Sequence, residues 1–228
     1  MLETAQGVKS AGATILRGGI FKMRTSHETF QGLGAEAFSF IKEIKQLVGL
    51  PLVSEVTDPR QISDLMSLVD MFQVGSRNMY NYSLLRELGQ VGKPVLLKRG
   101  FSATVDEWLK AADYIADGGN QKIVLCERGI RTFETVTRNT LDLGSVAYLK
   151  LHAPWPVIVD PSHATGRPEL IQPMSAAALA CGADGVMIEV HPRPSEAKSD
   201  GHQALTFANF HKTVEALRKI APAVGRQL

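Results

Sequence analysis

With 228 residues, 44% of them hydrophobic and 21% charged, the chain can bury one sizeable core and falls in the class of soluble single-domain proteins. A net charge of +2 is too small to argue for nucleic acid, and no apolar run approaches the roughly 18 residues that span a bilayer. Two cysteines, Cys126 and Cys181, sit in apolar settings that suit a reducing compartment, and the polar opening MLETAQGVKSAG is no signal peptide, so the expected location is cytoplasmic.

Leu2, Ala5 and Val8 make one face of a first helix that Gly12 can end, and the run 13–19 (ATILRGG) follows as a strand. Phe38, Ile41, Ile44 and Val48 predict a second helix before Gly49, then comes the strand run 51–56 (PLVSEV). Asp58-Pro59 opens a third helix with Asp as N-cap, carried on by Ile62, Leu65 and Val69, ahead of the run 70–77 (DMFQVGSR). A helix over 81–88 precedes the run 94–100 (PVLLKRG). Thr104 caps a helix with Trp108, Ala111 and Ile115 on its buried face, before the run 121–129 (QKIVLCERG). A helix is expected over 135–143, then the run 156–163 (PVIVDPSH), a helix over 168–181, the run 183–191 (ADGVMIEVH) and a last helix over 205–220. Strict alternation of helix and strand demands parallel strands and right-handed crossovers, hence an α/β fold in a single domain over 1–228.

Each strand run closes on charge or glycine. A strand cannot cheaply bury Arg17, Glu55, Lys98, Arg128, Asp160 and Glu189 unless they are paired or near solvent, so these ends are expected to gather at one functional rim, as in a (β/α) barrel. The count is seven where a closed barrel of eight needs one more, and the chain opens on a helix. The expectation is a TIM-type barrel lacking its first strand, N-terminally truncated, whose open edges are covered by homo-oligomerisation to a dimer or tetramer or by a longer natural chain.

Two groups of residues carry the chemistry. Arg17, Lys22 and Arg24, with Gly18-Gly19 and the hydroxyls Thr25 and Ser26, suit a phosphate or carboxylate; the plainer reading is a cationic loop paired with local acids. Ser76-Arg77, Lys98-Arg99 and Glu127-Arg128 add cations at further strand exits. Asp160, His163, Glu189, His191 and Asp200 form the second group, in which one His and two carboxylates suit Mn, Fe or Zn; a structural His–Asp pair with loop acids is the plainer reading.

Together the segments LRGGIFKMRTS, FQGLG, SEVTDPR, VGSRNM, KPVLLKRG, VLCERGIRTFETVTRNTLDL, PVIVDPSHATGR, ADGVMIEVHPRP and SDG resemble the 3-deoxy-D-arabino-heptulosonate 7-phosphate (DAHP) synthase family, in the form related to 3-deoxy-D-manno-octulosonate 8-phosphate synthase, from Leu2 to Leu205. The resemblance implies a (β/α)8 barrel that condenses phosphoenolpyruvate with erythrose 4-phosphate in the shikimate pathway, the route to aromatic amino acids. It implies that Arg77, Lys98 and Arg128 hold phosphoenolpyruvate, with Arg17, Glu55 and Ser76 close by, and that Lys22, Arg24 and Thr25 face the aldose phosphate. His163, Glu189 and Asp200 match three of four family metal ligands, and Lys22, Lys98, His163 and Asp200 are the expected catalytic residues. The expected partners are small phosphorylated substrates, with neither nucleic acid nor membrane.

Three departures from the family pattern bear on this reading. The family's AGPCS-like strand end, with its ligand cysteine, has no counterpart here, and neither Cys126 nor Cys181 replaces it, which weakens the expected metal affinity. The family's lysine–proline–arginine–threonine segment is Lys22-Met23-Arg24-Thr25 here, and Gly166-Arg167-Pro168 replaces a more cationic tripeptide. A synthase for another aldose or imino-aldose phosphate, and a non-catalytic member that binds phosphorylated metabolites or a partner, therefore stand as alternatives.

Overall fold

A computed structural model describes residues 1–24 and 26–227. They fall in two compact units, Met1–Lys9 with Ala13–Val124, and Ser10–Gly12 with Leu125–Leu228. Seven strands form among the described residues, one in each predicted run. Among the described residues no helix is long and apolar enough to cross a membrane.

The first unit carries α1 (Leu2–Ser10), β1 (Leu16–Arg17), α2 (Phe38–Val48), β2 (Leu52–Glu55), α3 (Ile62–Leu65), β3 (Met71–Val74), α4 (Tyr82–Gln90), β4 (Val95–Lys98) and α5 (Val105–Ala116). β1 to β4 pair in chain order and in parallel, with Leu16 beside Leu52, Glu55 beside Gln73 and Val74 beside Leu97. Parallel neighbours need a crossover, and the helices supply it. All four strands therefore end at one edge, which carries Arg17, Glu55, the turn after Val74, and Lys98.

Local chemistry sets the helix bounds. Ile41, Ile44 and Val48 are the buried stripe of α2, and Gly49 stops it in the left-handed region at φ 70°. Thr104 and Glu107 form a capping box at the start of α5: the Thr104 hydroxyl accepts the Glu107 N–H at 3.2 Å, and the Glu107 carboxylate accepts the Thr104 N–H at 2.8 Å. Trp108, fully buried, donates its indole N–H to the Leu97 carbonyl at 3.2 Å, which ties α5 to β4. The third helix is shorter than its pattern. Asp58 caps a 3-10 turn over Pro59–Gln61, and only Ile62–Leu65 is α-helical.

The second unit carries β5 (Ile123–Glu127) from Leu125 onward, α6 (Leu143–His152), β6 (Val157–Val159), α7 (Pro161–Thr165), α8 (Pro168–Ala180), β7 (Gly185–Val186) and α9 (Phe207–Ile220). β5, β6 and β7 pair in parallel, with Leu125 beside Val157 and Ile158 beside Gly185. Leu125, Val157, Val159, Val146, Leu149 and Ile171 are fully buried.

The helix expected over 135–143 does not form. Residues 138–140 spend their backbone donors elsewhere: Arg138 on the Thr165 carbonyl, Asn139 on Ala164 and Thr140 on Ile130. Helix starts only at Leu143, where the Asp142 carboxylate accepts the Ser145 N–H at 2.9 Å. Cys181, expected within the helix over 168–181, is the C-terminal cap of the helix that forms at Pro168–Ala180.

The same device recurs at the strand starts of each unit. Asp70, just before β3, accepts the Leu52 N–H at 2.8 Å and the Lys45 ammonium at 3.0 Å. Asp184, just before β7, accepts the Val157 N–H at 2.8 Å and the Lys150 ammonium at 2.6 Å. Burial pushes the Asp184 carboxyl up, but Lys150, the Val157 N–H and Arg226 outweigh it and hold it below the usual range. A depressed carboxyl stabilises the fold above its unfolded value and loses that contribution as pH falls through the folded one. Asp184→Ala is expected to lower unfolding stability by about 1–3 kcal/mol at neutral pH. Urea titration at neutral and at acid pH checks it, with the difference between variant and wild type shrinking in acid.

Candidate active site

In the first unit Glu55, the last residue of β2, is the centre of the strand-end group. Burial raises its carboxyl above the usual value, and Lys98, Arg17, the Met23 N–H and Lys22 pull against that rise. Three cations from two separate segments, Arg17 and Lys22 from one and Lys98 from another, thus act on one carboxylate. Lys98 and Arg99 are nearly buried at 5% and 4% exposure. Their loop is held where the Gly100 N–H meets the Met79 sulfur at 3.1 Å. Arg99 donates to the Ala103 carbonyl at 3.0 Å and lies over the Trp108 ring.

The segment after β1 is pinned at several points. The Ile20 N–H donates to Ser54 Oγ at 3.0 Å, the Lys22 N–H to the Gln31 carbonyl at 2.8 Å, and Phe21 bridges Gly32. Gly32 sits at φ +96°, and a Cβ there would collide with the Ile20 carbonyl, so only glycine closes this loop. Arg24 is half-buried, and Thr25 lies outside the described residues.

Ser76 and Arg77 open a 3-10 turn after β3 that Asn78 anchors by donating to the Thr57 carbonyl at 3.0 Å. Arg77 is exposed, with its guanidinium 5.1 Å from the Phe101 ring centroid. Ser76 Oγ is buried with no hydrogen-bond partner, and so is Gln73 Oε1. Gln73 is 2% exposed and donates from Nε2 to Glu55 Oε2 at 3.3 Å.

The second unit builds its group around α7. Asp160, fully buried, caps that helix by accepting the His163 N–H at 3.0 Å and also holds His163 Nδ1 at 3.0 Å. This bond fixes the proton on Nδ1 and leaves Nε2 as a donor of electrons. His163 Nε2 lies 3.8 Å from Glu189 Oε2, and Glu189 is itself steadied by its N–H on Ser162 Oγ at 3.0 Å.

Arg128 is 3% exposed and donates to the His163 carbonyl at 3.0 Å, beside Asn139, which donates to the same oxygen at 3.2 Å. Burial lowers the Arg128 guanidinium to about 10, with Asp160 opposing and Arg138 assisting, so it stays cationic at neutral pH.

Asp200 is the one described non-glycine residue at positive φ, 57°. It faces Arg138 at 3.7 Å, and Arg138 also donates to Gln203 Oε1 at 2.8 Å. Gln203 is fully buried, and its Nε2 has no partner. The expected trio is thus brought together only as a pair, His163 with Glu189. Among the described residues no group of three His, Cys, Asp or Glu side chains gathers closely enough to hold a metal. His191 accepts the Arg193 N–H at 3.1 Å. Gln73, Arg138 and Asn139 were missed in the sequence. Only Gln73 had a signal there, as a lone polar side chain inside the apolar run MFQV.

Comparison with known proteins places these residues in context. The DAHP synthetase I family matches residues 1–224. The phospho-2-dehydro-3-deoxyheptonate aldolase of Thermotoga maritima is 45% identical over 225 residues, 99% of this chain and 67% of that protein. A 2-dehydro-3-deoxyphosphooctonate aldolase of Nitrosococcus oceani is 28% identical over 215 residues, covering 88% of this chain and 75% of its own. The crystal structure of the Thermotoga maritima enzyme superposes with a TM-score of 0.95 at 44% identity, over 99% of this chain and 66% of that one. A truncated form of the same enzyme gives 0.91 at 42% identity, over 99% and 82%. The chain thus spans about two-thirds of the length of the full-length Thermotoga relative. The fold is α/β, of the TIM-barrel type with seven of its eight strands. On the family match and these likenesses, the chain belongs to the DAHP synthetase I family.

Proposed function

We propose that this protein condenses phosphoenolpyruvate with erythrose 4-phosphate to give 3-deoxy-D-arabino-heptulosonate 7-phosphate and phosphate, the entry step of the shikimate pathway. The observation that carries the reading is the set of cations, Arg17, Lys22 and Lys98, drawn around the half-buried carboxylate of Glu55. Two anionic substrates repel each other, and a cationic cradle with low dielectric walls is what holds them for reaction.

In the first unit, Arg77 and Lys98 bind phosphoenolpyruvate, with Arg17 and Ser76 supplying further bonds, while Lys22 and Arg24 face the aldose phosphate. In the second unit, Arg128 offers a buried guanidinium to an oxyanion. The unpartnered Ser76 Oγ fits this assignment, because a buried hydroxyl without a partner is costly until a ligand satisfies it. Carbon 3 of phosphoenolpyruvate attacks the aldehyde carbon, so charge develops on the aldehyde oxygen. Water adds at carbon 2 and loses a proton, and phosphate departs with its bridging oxygen to leave a ketone. Lys22 and Lys98 are the residues assigned to supply a proton or meet the developing charge.

Members of this family use a divalent metal, and the donor chemistry here fits one in part. His163, with Nδ1 on Asp160 and Nε2 turned toward Glu189, has the carboxylate–imidazole arrangement that metal ligands use. His163 and Glu189 would hold the ion, with Asp200 as third ligand on release from Arg138. Bound there, the metal would supply Lewis acidity for the aldehyde oxygen.

A heptulosonate product less the three carbons of phosphoenolpyruvate leaves a four-carbon aldose, and an octulosonate product leaves a five-carbon one. The higher identity to the heptonate enzyme, 45% against 28%, favours the four-carbon acceptor. Loss of phosphoenolpyruvate and release of phosphate, measured with four- and five-carbon aldose phosphates and with or without Mn, should show turnover fastest with erythrose 4-phosphate. No consumption with any acceptor would end the enzyme reading.

A further inference from the structure

Gln73 is a buried polar side chain that the roles above leave unused. It stands beside Glu55 in the register of β2 and β3, and its Nε2 donates to Glu55 Oε2 at 3.3 Å. Facing a carboxylate, which only accepts, the amide must present its N–H side, so the carbonyl oxygen is the atom left without a partner. The other Glu55 oxygen, Oε1, presses on Gly75, where a Cβ would collide with it. β3 and the glycine that follows it thus brace both carboxylate oxygens, one by a hydrogen bond from Gln73 and one by the close approach of Gly75, which has no side chain.

Arg17, Lys22 and Lys98 face the same carboxylate, with the Met23 N–H. Glu55 could turn toward any of these cations, and a turn toward one would withdraw it from the others. A neutral amide holds the carboxylate without changing the net charge of the cradle. A lysine in its place would neutralise Glu55, and a glutamate would repel it. A residue kept only for packing at 2% exposure would be apolar and would leave no orphaned oxygen. We propose that Gln73 is a positioning residue that fixes the Glu55 carboxylate for the condensation, an inference that rests on the activity proposed above.

Gln73→Met removes both polar atoms at similar length, and Gln73→Glu keeps the shape but reverses the donor. Both are expected to keep the wild-type melting temperature to within a few degrees and to lower kcat by about 10–100-fold with little change in KM for phosphoenolpyruvate. The direct readout is the carboxyl 13C resonance of Glu55, assigned with Glu55→Gln and titrated in the protein without substrate. Loss of the donor should raise the Glu55 titration in Gln73→Met, and a neighbouring carboxylate should raise it further in Gln73→Glu. An unchanged titration in both variants overturns the proposal, as does a raised titration with unchanged kcat. If wild type proves inactive, the enzyme reading fails and with it the role in condensation, while the titration still decides whether Gln73 acts on Glu55.

Discussion

Arg128→Ala is expected to weaken phosphoenolpyruvate binding by at least about tenfold, since a charge-assisted bond from a buried guanidinium is worth roughly 1.5–3 kcal/mol. The guanidinium is 3% exposed and tied to the backbone at His163, so it is already oriented before ligand arrives. Its value near 10 keeps it charged throughout the neutral range, and binding should not vary with its ionisation below about pH 9. Isothermal calorimetry with phosphoenolpyruvate measures the change, and an equal dissociation constant in the variant would place the anion elsewhere. Arg128→Lys should recover only part of the loss, because an ammonium cannot reproduce two parallel N–H bonds.

Metal binding should depend on His163. His163→Ala is expected to reduce Mn affinity by roughly 100-fold or more, and Asp160→Asn by about 10–100-fold, because the latter removes the carboxylate that sets the imidazole tautomer. Titration with Mn followed by electron paramagnetic resonance reads both without any turnover. Equal affinity in wild type and His163→Ala would show that the imidazole is no ligand.

The seven strand runs were legible because period and punctuation agree: short apolar runs bounded by Gly, Pro and charge have few other solutions. Helix starts were legible where a cap is written in sequence, as at Thr104 with Glu107 and at Asp58. The stretch 135–143 misled because Val136 and Leu143, seven residues apart, imitate a helical spacing. Its backbone bonds to Ile130, Ala164 and Thr165, partners that no local window contains. The same limit hid the roles of Arg138 and Asn139, whose work lies in pairings with Asp200, Gln203 and the His163 carbonyl. Cations around Glu55 were readable as a set because each ends or follows a strand. Which of them would approach the carboxylate depended on register, and register is a tertiary property.

The carboxylates that lock the strand starts, Asp70 and Asp184, carry an evolutionary consequence. In the first unit a strand of four residues, about 13 Å long, separates Asp70 at one end from Glu55 at the other. Asp70 is held by Lys45 and the Leu52 N–H, whereas Glu55 meets Gln73, so the two carboxylates rest on separate partners. Effects at such separated positions add rather than interfere. A lineage can therefore adjust the durability of each unit at its strand starts while leaving inherited chemistry at the strand ends untouched, and relatives adapted to different temperatures can diverge at one edge and keep the other.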